Sequence, residues 1–281
     1  GVQTCALPIS ITTRMILALA LPSLGALIAE PLFTVIDSTM VGHLGTPQLA
    51  GLGIASTVLN TAVGLFIFLA YSTTSLAGRH LGAGRRDRAI RSGVEAMWLA
   101  GGLGALAAIL LAVFASPLLT WLGADAATMP HALAYLRASA PGLVGMFVVL
   151  AATGTLRGLQ DTRTPLVAAS VGAAFNAVAN WVLMYPLNLG VAGSGLGTAI
   201  TQTLMAAFLG WMIVRAARRE GVSLRPSTYG LFGAALEGAP LLVRTLALRV
   251  ALLATLSAVT AISTQALAAH QIVWTLWTFA A

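Results

Sequence analysis

Long apolar runs separated by short polar connections dominate this chain of 281 residues. A membrane-spanning helix needs about 20 apolar residues, because the hydrocarbon core is about 30 Å thick and each helical residue rises about 1.5 Å. Seven runs have this length, and an eighth begins near residue 265. The seven lie near 15–40, 48–77, 94–116, 132–155, 165–186, 191–214 and 240–262. The pattern predicts an all-α, polytopic membrane helix bundle.

Composition supports a membrane protein. The chain is 58% hydrophobic and only 8% charged, with a mean hydropathy of +0.90, whereas about a quarter of the residues in soluble domains are charged. The net charge of +7 comes from fifteen arginines and no lysine. Eleven of these arginines, Arg157 among them, fall in the even-numbered connections, such as "GRHLGAGRRDRAIR" and "RAARREGVSLRP", while the odd-numbered connections have none and Arg137 alone falls on the outer side, at a helix end. Positive-inside topology explains this alternation better than a nucleic-acid partner, and it predicts a cytoplasmic N-terminus in the plasma (inner) membrane.

The ends of the chain suggest a piece of a longer protein. Residues 1–10, "GVQTCALPIS", resemble an adapter read-through, so we expect a non-native leader there. Shifting the chain on itself by 218 residues brings Pro22 onto Pro240 and Val41 onto Val259, which indicates a parallel repeat of six helices. We therefore expect an N-lobe over 11–219, a cytoplasmic linker over 220–239 and the start of a C-lobe over 240–281. Within the linker, 229–236 could be a surface helix or an unstructured loop.

Two carboxylates interrupt the first apolar run. Glu30 and Asp37 are seven residues apart, which places both on one helix face. An acid inside a membrane should face a cavity or the bundle interior, where it can load and release a proton. Asp37 is therefore a candidate coupling residue, with a position at the outer interface as the alternative. Glu30 could contact substrate in a cavity or only hydrogen-bond a neighbouring helix.

Prolines and neutral polar residues are the other candidates. Pro22 and Pro31 should bend the helix that carries the acids, since each removes a backbone hydrogen bond. In the fifth run, Asn176 and Asn180 lie one turn apart, and the sixth run offers Thr198. Their oxygens could complete a cation's coordination shell or line a cavity, although hydrogen bonds between helices would also explain each of them.

Residue spacing gives no support for an enzyme or a metal protein. Cys5 is the one cysteine, the four histidines lack ligand spacing, and "GVAGSGLG" lacks the preceding strand of a phosphate-binding loop. We expect no cofactor and no metal site. A membrane-embedded enzyme or scaffold would need a catalytic cluster or a large soluble partner surface, and the sequence contains neither.

Four strings, in order and at helix ends, are similar to those of multidrug and toxic compound extrusion (MATE) transporters, in particular the DNA-damage-inducible F (DinF) branch. They are "PSLGALIAEPLFTVIDSTMVGHLGTPQLAGLGIAS", "LGAGRRDRA", "RGLQDTRTPL" and "NLGVAGSGLGTAI". The resemblance implies two six-helix lobes around a central cavity, of which this chain holds the N-lobe and one or two C-lobe helices. It also implies export of lipophilic or cationic compounds in exchange for H+ or Na+.

The resemblance carries roles to particular residues. Asp37 matches the cation-coupling aspartate of the family, Pro22 its bending proline, and Asn180 and Thr198 the asparagine and threonine near that aspartate. Met184 stands where some relatives carry a second aspartate, which favours H+ over Na+ because a sodium site would lose a hard ligand.

The resulting expectation is a monomeric antiporter in the lipid bilayer that exports small lipophilic or cationic molecules by alternating access. The alternative within transport is a flippase or exporter of a lipid-linked or amphipathic metabolite, which would need a basic cavity.

Overall fold

The computed structural model describes Leu17, Leu24 and residues 35–262, and all regular secondary structure in these residues is helical. The end of the first helix, α1, covers residues 35–42. The helices that follow are α2 (Thr46–Leu65), α3 (Phe68–Gly82), α4 (Arg86–Trp121), α5 (Met129–Ser139), α6 (Gly142–Gly158), α7 (Arg163–Met184), α8 (Val191–Arg219) and α9 (Thr228–Ile262). The all-α helix bundle predicted from the apolar runs is confirmed.

Two of the predicted spans are each built from two helices. The second run forms α2 and α3, which together make one apolar segment from Thr46 to Gly82. The fourth run forms α5 and α6, which meet at a bend of 52°. Pro141 stands at this bend, just before α6, where its ring and missing N–H disfavour a continuous helix. Within the described residues, five helices are long and apolar enough to cross a membrane, or six when the bent pair counts as one span.

Contacts between connections define two ends of the bundle. At the arginine-rich end, Arg86 at the start of α4 forms an ion pair of 3.2 Å with Glu220, which follows α8. At the opposite end, the Tyr185 hydroxyl donates a hydrogen bond of 2.8 Å to the carbonyl of Met40 near the end of α1. The connections after α3 and α8 therefore lie at the arginine-rich end, and so does the end of α6, where Gly158 packs against Thr74 and Gly78 of α3. The alternation of loop charge requires this arrangement.

Each long helix has an exposed apolar stripe. On α8, exposed large apolar side chains recur every three or four residues and so lie on one face of the helix. They are Leu196, Ile200, Leu204, Phe208 and Trp211. A similar stripe on α7 runs through Val167, Val171, Phe175, Val178 and Val182. Exposed stripes of this kind face lipid in a membrane protein, while small and polar residues of the same helices turn inward.

The segment between α8 and α9 packs on α4. Arg91 Nη1 donates to the carbonyl of Ser223 at 2.8 Å, and Trp98 Nε1 donates to the carbonyl of Leu224 at 3.0 Å. Residues 228–236 are helical and continuous with α9, so the unstructured alternative for 229–236 does not apply. The lobe boundaries remain predictions. Residues 1–10, Pro22, Glu30, Pro31 and 263–281 lie outside the described residues.

Candidate functional site

The Asp37 carboxylate is the centre of a buried polar cluster. Its side chain sits in α1, about one and a half turns before the helix ends, yet the residue is only 5% exposed. Asn180 Nδ2 donates a hydrogen bond of 3.0 Å to Asp37 Oδ1, and Ser194 Oγ donates a second, short hydrogen bond to the same oxygen. Asp37 thus lies near the end of the bundle that is opposite the arginine-rich connections, as expected if it sat at the outer membrane interface. Its carboxylate, however, is hydrogen-bonded to α7 and α8 and is not in bulk water.

A pair of asparagines holds the amide that faces Asp37. Asn180 Nδ2 donates to Asn176 Oδ1 at 3.0 Å, and Asn176 Nδ2 donates back to Asn180 Oδ1 at 3.3 Å. The two hydrogens of the Asn180 amide nitrogen therefore bind Asp37 and Asn176, while its oxygen accepts from Asn176. This arrangement fixes the Asn180 side chain with its donor toward the carboxylate.

Glycines on α8 make the cluster possible. A side chain at residue 197 would collide with Oδ1 of Asn180, and a Cβ at residue 193 would come within 2.7 Å of the backbone of Leu183. Both positions therefore require glycine if α8 is to lie this close to α7. The close approach brings Ser194, between these glycines, to Asp37.

Two hydroxyl groups lie beside the carboxylate. Tyr135 on α5 is buried, and its hydroxyl lies near both Asp37 and Thr198. Thr198 is 3% exposed, and its Oγ1 faces the Tyr135 hydroxyl, although the two do not meet with the geometry of a full hydrogen bond. The two hydroxyls therefore place polar oxygens beside Asp37 on the cavity wall.

A cavity of about 300 Å³ opens next to this cluster. Asp37, Tyr135 and Thr198 form its wall at the opposite end of the bundle. The wall continues along one face of α6, at Met146, Val149, Leu150, Thr153 and Arg157. Since Arg157 follows Met146 by eleven steps of about 1.5 Å each, the cavity extends about 16 Å toward the arginine-rich end.

The cavity face of α7 connects with the polar cluster. Pro165, Ala169 and Ala173 line the cavity, and Asn176 and Asn180 continue the same helical face. This face is turned away from the exposed apolar stripe of α7. The helix therefore has one side for lipid and one for the cavity and the carboxylate.

The structure brings four predicted residues together, and two of them line the cavity. Asp37 and Thr198 line the cavity, and Asn180 bonds directly to Asp37. Asn176, predicted to line a substrate cavity, is paired with the Asn180 amide, and neither asparagine is among the residues that line the cavity. Glu30, Pro22 and Pro31 fall outside the described residues.

Sequence reasoning missed Ser194, Tyr135 and Arg157. Ser194 stands within "GSG", where the flanking glycines indicated only close packing, although a hydroxyl between two small residues is well placed to reach a neighbouring helix. Arg157 was counted with the charges of a connection, yet it belongs to the last turn of α6 and lines the cavity. In the described ranges, no group of three His, Cys, Asp or Glu side chains is arranged to hold a metal ion.

Apolar spans around an internal cavity with a buried carboxylate are the architecture of a multispanning membrane transport protein. The sequence profile of the MatE family matches residues 22–182, and the chain belongs to this family.

Comparisons with individual proteins agree. The chain is 31% identical over 276 residues to Protein DETOXIFICATION 44, chloroplastic, of Arabidopsis thaliana, a match that covers 93% of this chain and 52% of that protein. It is 32% identical over 211 residues to DNA damage-inducible protein F of Escherichia coli (strain K12), covering 73% of this chain and 45% of that protein. The chain spans about half the length of these curated relatives.

Solved structures share the fold. The crystal structure of the Vibrio cholerae MATE transporter VcmN in its bent form superposes with a TM-score of 0.84 at 21% identity, over 96% of this chain and 62% of that one. A multidrug resistance MATE transporter of the MOP superfamily in an outward-facing conformation gives 0.80 at 22% identity, over 95% and 60%. Identities this low establish the fold alone.

Proposed function

We propose that this chain is the N-lobe and the start of the C-lobe of a cation-coupled antiporter that exports lipophilic or cationic compounds by alternating access, with H+ favoured over Na+. The observation that carries the proposal is the Asp37 carboxylate, which is buried, bonded to α7 and α8, and open to the cavity. We also propose that the protein is monomeric, that it lies in the plasma (inner) membrane, and that its arginine-rich end faces the cytoplasm.

Protonation of Asp37 would change the contacts between three helices. Both hydrogen bonds to the carboxylate end on Oδ1 and come from groups that donate, Asn180 Nδ2 and Ser194 Oγ. A neutral carboxyl group accepts such bonds less strongly than a carboxylate does. Proton uptake would therefore loosen α1 from α7 and α8, and Pro22 and Pro31 are proposed to let α1 bend in response. A membrane potential contributes about 2.3 kcal/mol per charge per 100 mV, enough to bias such an equilibrium.

Coupling to H+ is favoured by the charge of the site. Asp37 is the one carboxylate among the described residues that line the cavity, and the residue bonded to it, Asn180, is a neutral amide. One negative charge can bind one proton, whereas a sodium site gains from further carboxylate oxygens.

Transport in vesicles tests the proposal. The full-length protein is reconstituted, a pH step is imposed, and uptake of a fluorescent lipophilic cation and of a fluorescent lipophilic acid is followed separately, with protein-free vesicles as the blank. We expect Asp37→Asn to lose at least about 90% of the pH-driven uptake, since its side chain binds no proton. Asp87→Asn is the matched control, because Asp87 is exposed in the first turn of α4. Full pH-driven uptake by Asp37→Asn would contradict the proposal.

An exporter of an amphipathic metabolite on the same fold is the second candidate. Its favouring observation is Arg157, a basic side chain in the cavity wall. In the same experiment, pH-driven uptake of the acid without uptake of the cation would select this candidate.

A further inference from the structure

Arg157 has an unusual environment for an arginine at a helix end. It stands in the last turn of α6 and lines the cavity at the arginine-rich end of the bundle. Its Nε is buried and has no hydrogen-bond partner among the described residues. The ion pairs there involve other arginines, Arg86 with Glu220 and Arg91 with Glu95. Among the described residues Arg157 has no ion-pair partner and its buried Nε has no hydrogen bond, so the guanidinium that lines the cavity carries a charge that no protein group neutralises.

An unused guanidinium donor in a cavity favours an anion. Burying a donor without a partner costs about 1–3 kcal/mol, and more when the group is charged. The planar guanidinium matches two oxygens of a carboxylate or phosphate group, and such charge-assisted bonds are about twice as strong as neutral ones. A ligand that brings an acidic group to Arg157 would remove this cost.

Much of the cavity wall is apolar, although Ser56, Asn60 and Gln202 also line it, and the apolar part suits the apolar body of a ligand. Between Arg157 and the Asp37 cluster, the α6 face presents Met146, Val149 and Leu150, and Met205 of α8 also lines the space. The volume of about 300 Å³ is at the lower end of the range for small-molecule sites. It therefore suits a molecule with one ring system and a short polar head better than a large lipid-linked sugar.

Charge is separated along the cavity. Asp37 and Arg157 are the charged side chains among its described lining residues, and they lie toward opposite ends of it. A cationic head at the arginine-rich end would be repelled by Arg157, while an anionic head there would be attracted and kept away from Asp37.

We propose that Arg157 binds the acidic group of an amphipathic cargo, a carboxylate, phosphate or sulfonate, whose apolar part lies along α6 toward Asp37. The proposal rests on the second candidate function, the exporter of an amphipathic metabolite, since it names the substrate class of the same cavity. It limits the cargo to lipophilic compounds with an acidic group and excludes the cationic compounds of the first candidate.

Three ligands with one ring system test this assignment. The full-length protein in nanodiscs is immobilised, and binding of radiolabelled naphthaleneacetate is measured at pH 7, with unlabelled naphthaleneacetate, naphthaleneacetamide and naphthylmethylammonium as competitors. The wild-type protein should bind the acid at least about 10-fold more tightly than the amide, and the ammonium compound most weakly. Equal binding of acid and amide by the wild-type protein would overturn the proposal without any variant.

Variants assign the preference to Arg157. In Arg157→Gln, radiolabelled naphthaleneacetamide should bind with an affinity within about twofold of the wild-type value, while the preference for the acid disappears. Arg157→Lys keeps the positive charge but not the planar guanidinium that matches two oxygens, so it should retain part of the preference for the acid. Arg163→Gln is the matched control, because Arg163 is exposed in the first turn of α7 at the same end and is not a lining residue.

The outcomes separate this proposal from the coupling mechanism. Loss of acid and amide binding together in Arg157→Gln, or loss of the preference in Arg163→Gln, would overturn the role of Arg157. Binding is measured without a gradient, so these results do not depend on Asp37 coupling. Conversely, unimpaired pH-driven uptake by Asp37→Asn would contradict the coupling mechanism while leaving the binding preference intact.

Discussion

At the residue scale, the surroundings of Asp37 contain one charge and several neutral donors. Asn180 Nδ2 lies 3.0 Å from Asp37 Oδ1, and Ser194 completes the contact from α8. Met184, where some relatives of the family are expected to carry a second aspartate, is buried among apolar residues one turn beyond Asn180. The side chain best placed to give a second carboxylate at Asp37 is therefore Asn180.

A single substitution should convert this site to a sodium site. In Asn180→Asp, two carboxylates would lie about one hydrogen-bond length apart, and they cannot both stay ionised unless a cation binds between them. We expect 100 mM NaCl, compared with 100 mM choline chloride, to raise the melting temperature of the variant by a few degrees through preferential binding to the folded state. Thermal unfolding in detergent measures this difference.

The double variant Asp37→Asn/Asn180→Asp is the control, since it restores one carboxylate at the same place. It should show no sodium-specific rise, and neither should the wild-type protein. An equal rise in the wild-type protein would mean that one carboxylate with neutral oxygens already binds sodium, and H+ coupling would lose its support.

Some site residues could be predicted from the sequence and others could not. Asp37 was visible because an acid in an apolar run is costly and rare, and the spacing of Asn176 and Asn180 placed them on one helix face. Which of the two amides meets the carboxylate depends on the rotation of α7, and that rotation is fixed by tertiary contacts such as Gly197 against Asn180. Arg157 could not be assigned to a cavity because an arginine at a helix end ordinarily reaches water.

At the element scale, α4 extends past the membrane and carries the segment that joins α8 to α9. Its first turns hold Arg91, Glu95 and Trp98, and the Arg91 to Glu95 ion pair of 2.8 Å orients the guanidinium toward Ser223. Val222 and Leu224 pack against a cluster that includes Ile90 and Val94 of the same helix. Residues 220–224 are therefore attached to α4 by polar and apolar contacts together.

Removing one of these contacts should loosen the connection locally. Trp98→Phe keeps the ring but loses the hydrogen bond of 3.0 Å to the Leu224 carbonyl, which is worth about 1 kcal/mol. We expect hydrogen exchange over residues 220–227 to become about fivefold faster, as local opening becomes easier. Mass spectrometry of peptides from the full-length protein measures it.

Trp121→Phe is the control for this change, because Trp121 is 82% exposed at the other end of α4. It should leave exchange over 220–227 unchanged. Unchanged exchange in Trp98→Phe would show that the apolar packing of Val222 and Leu224 alone holds the segment.

The presence of the helices could be predicted from the sequence, but the positions of the breaks within them could not. Apolar runs of about 20 residues required spans, and most of the predicted runs coincide with helices. The break at Phe66 and Ile67 has no Pro or Gly at those two positions, and Gly64 just before it is a weak signal, because a single glycine is tolerated within a helix. The start of α4 at Arg86 was missed because its first turns are polar, outside any apolar run, and are stabilised by contacts with the segment after α8.

At the scale of the whole molecule, the two ends of the cavity have different chemistry. The carboxylate cluster lies near the end whose connections carry no arginine, and Arg157 lies near the end whose connections carry many. The orientation of the bundle in the membrane therefore decides which group meets the cytoplasm. If the arginine-rich end is cytoplasmic, the two proposals together imply that an acidic cargo enters at Arg157 and that protons reach Asp37 from outside, because Asp37 then lies nearer to the outer surface than Arg157 does.

Cysteine labelling in intact cells tests that orientation. In a Cys5→Ser background of the full-length protein, freed of any other cysteines, single cysteines replace Ala126, in the connection before α5, or Ala83, in the connection before α4; both residues are exposed. Positively charged connections stay on the cytoplasmic side during insertion, so a membrane-impermeant maleimide should label Ala126→Cys in intact spheroplasts and Ala83→Cys only after lysis. The reverse pattern would place Arg157 toward the outside and Asp37 toward the cytoplasm, and the proposed direction of export would then require the opposite order of cargo and proton binding.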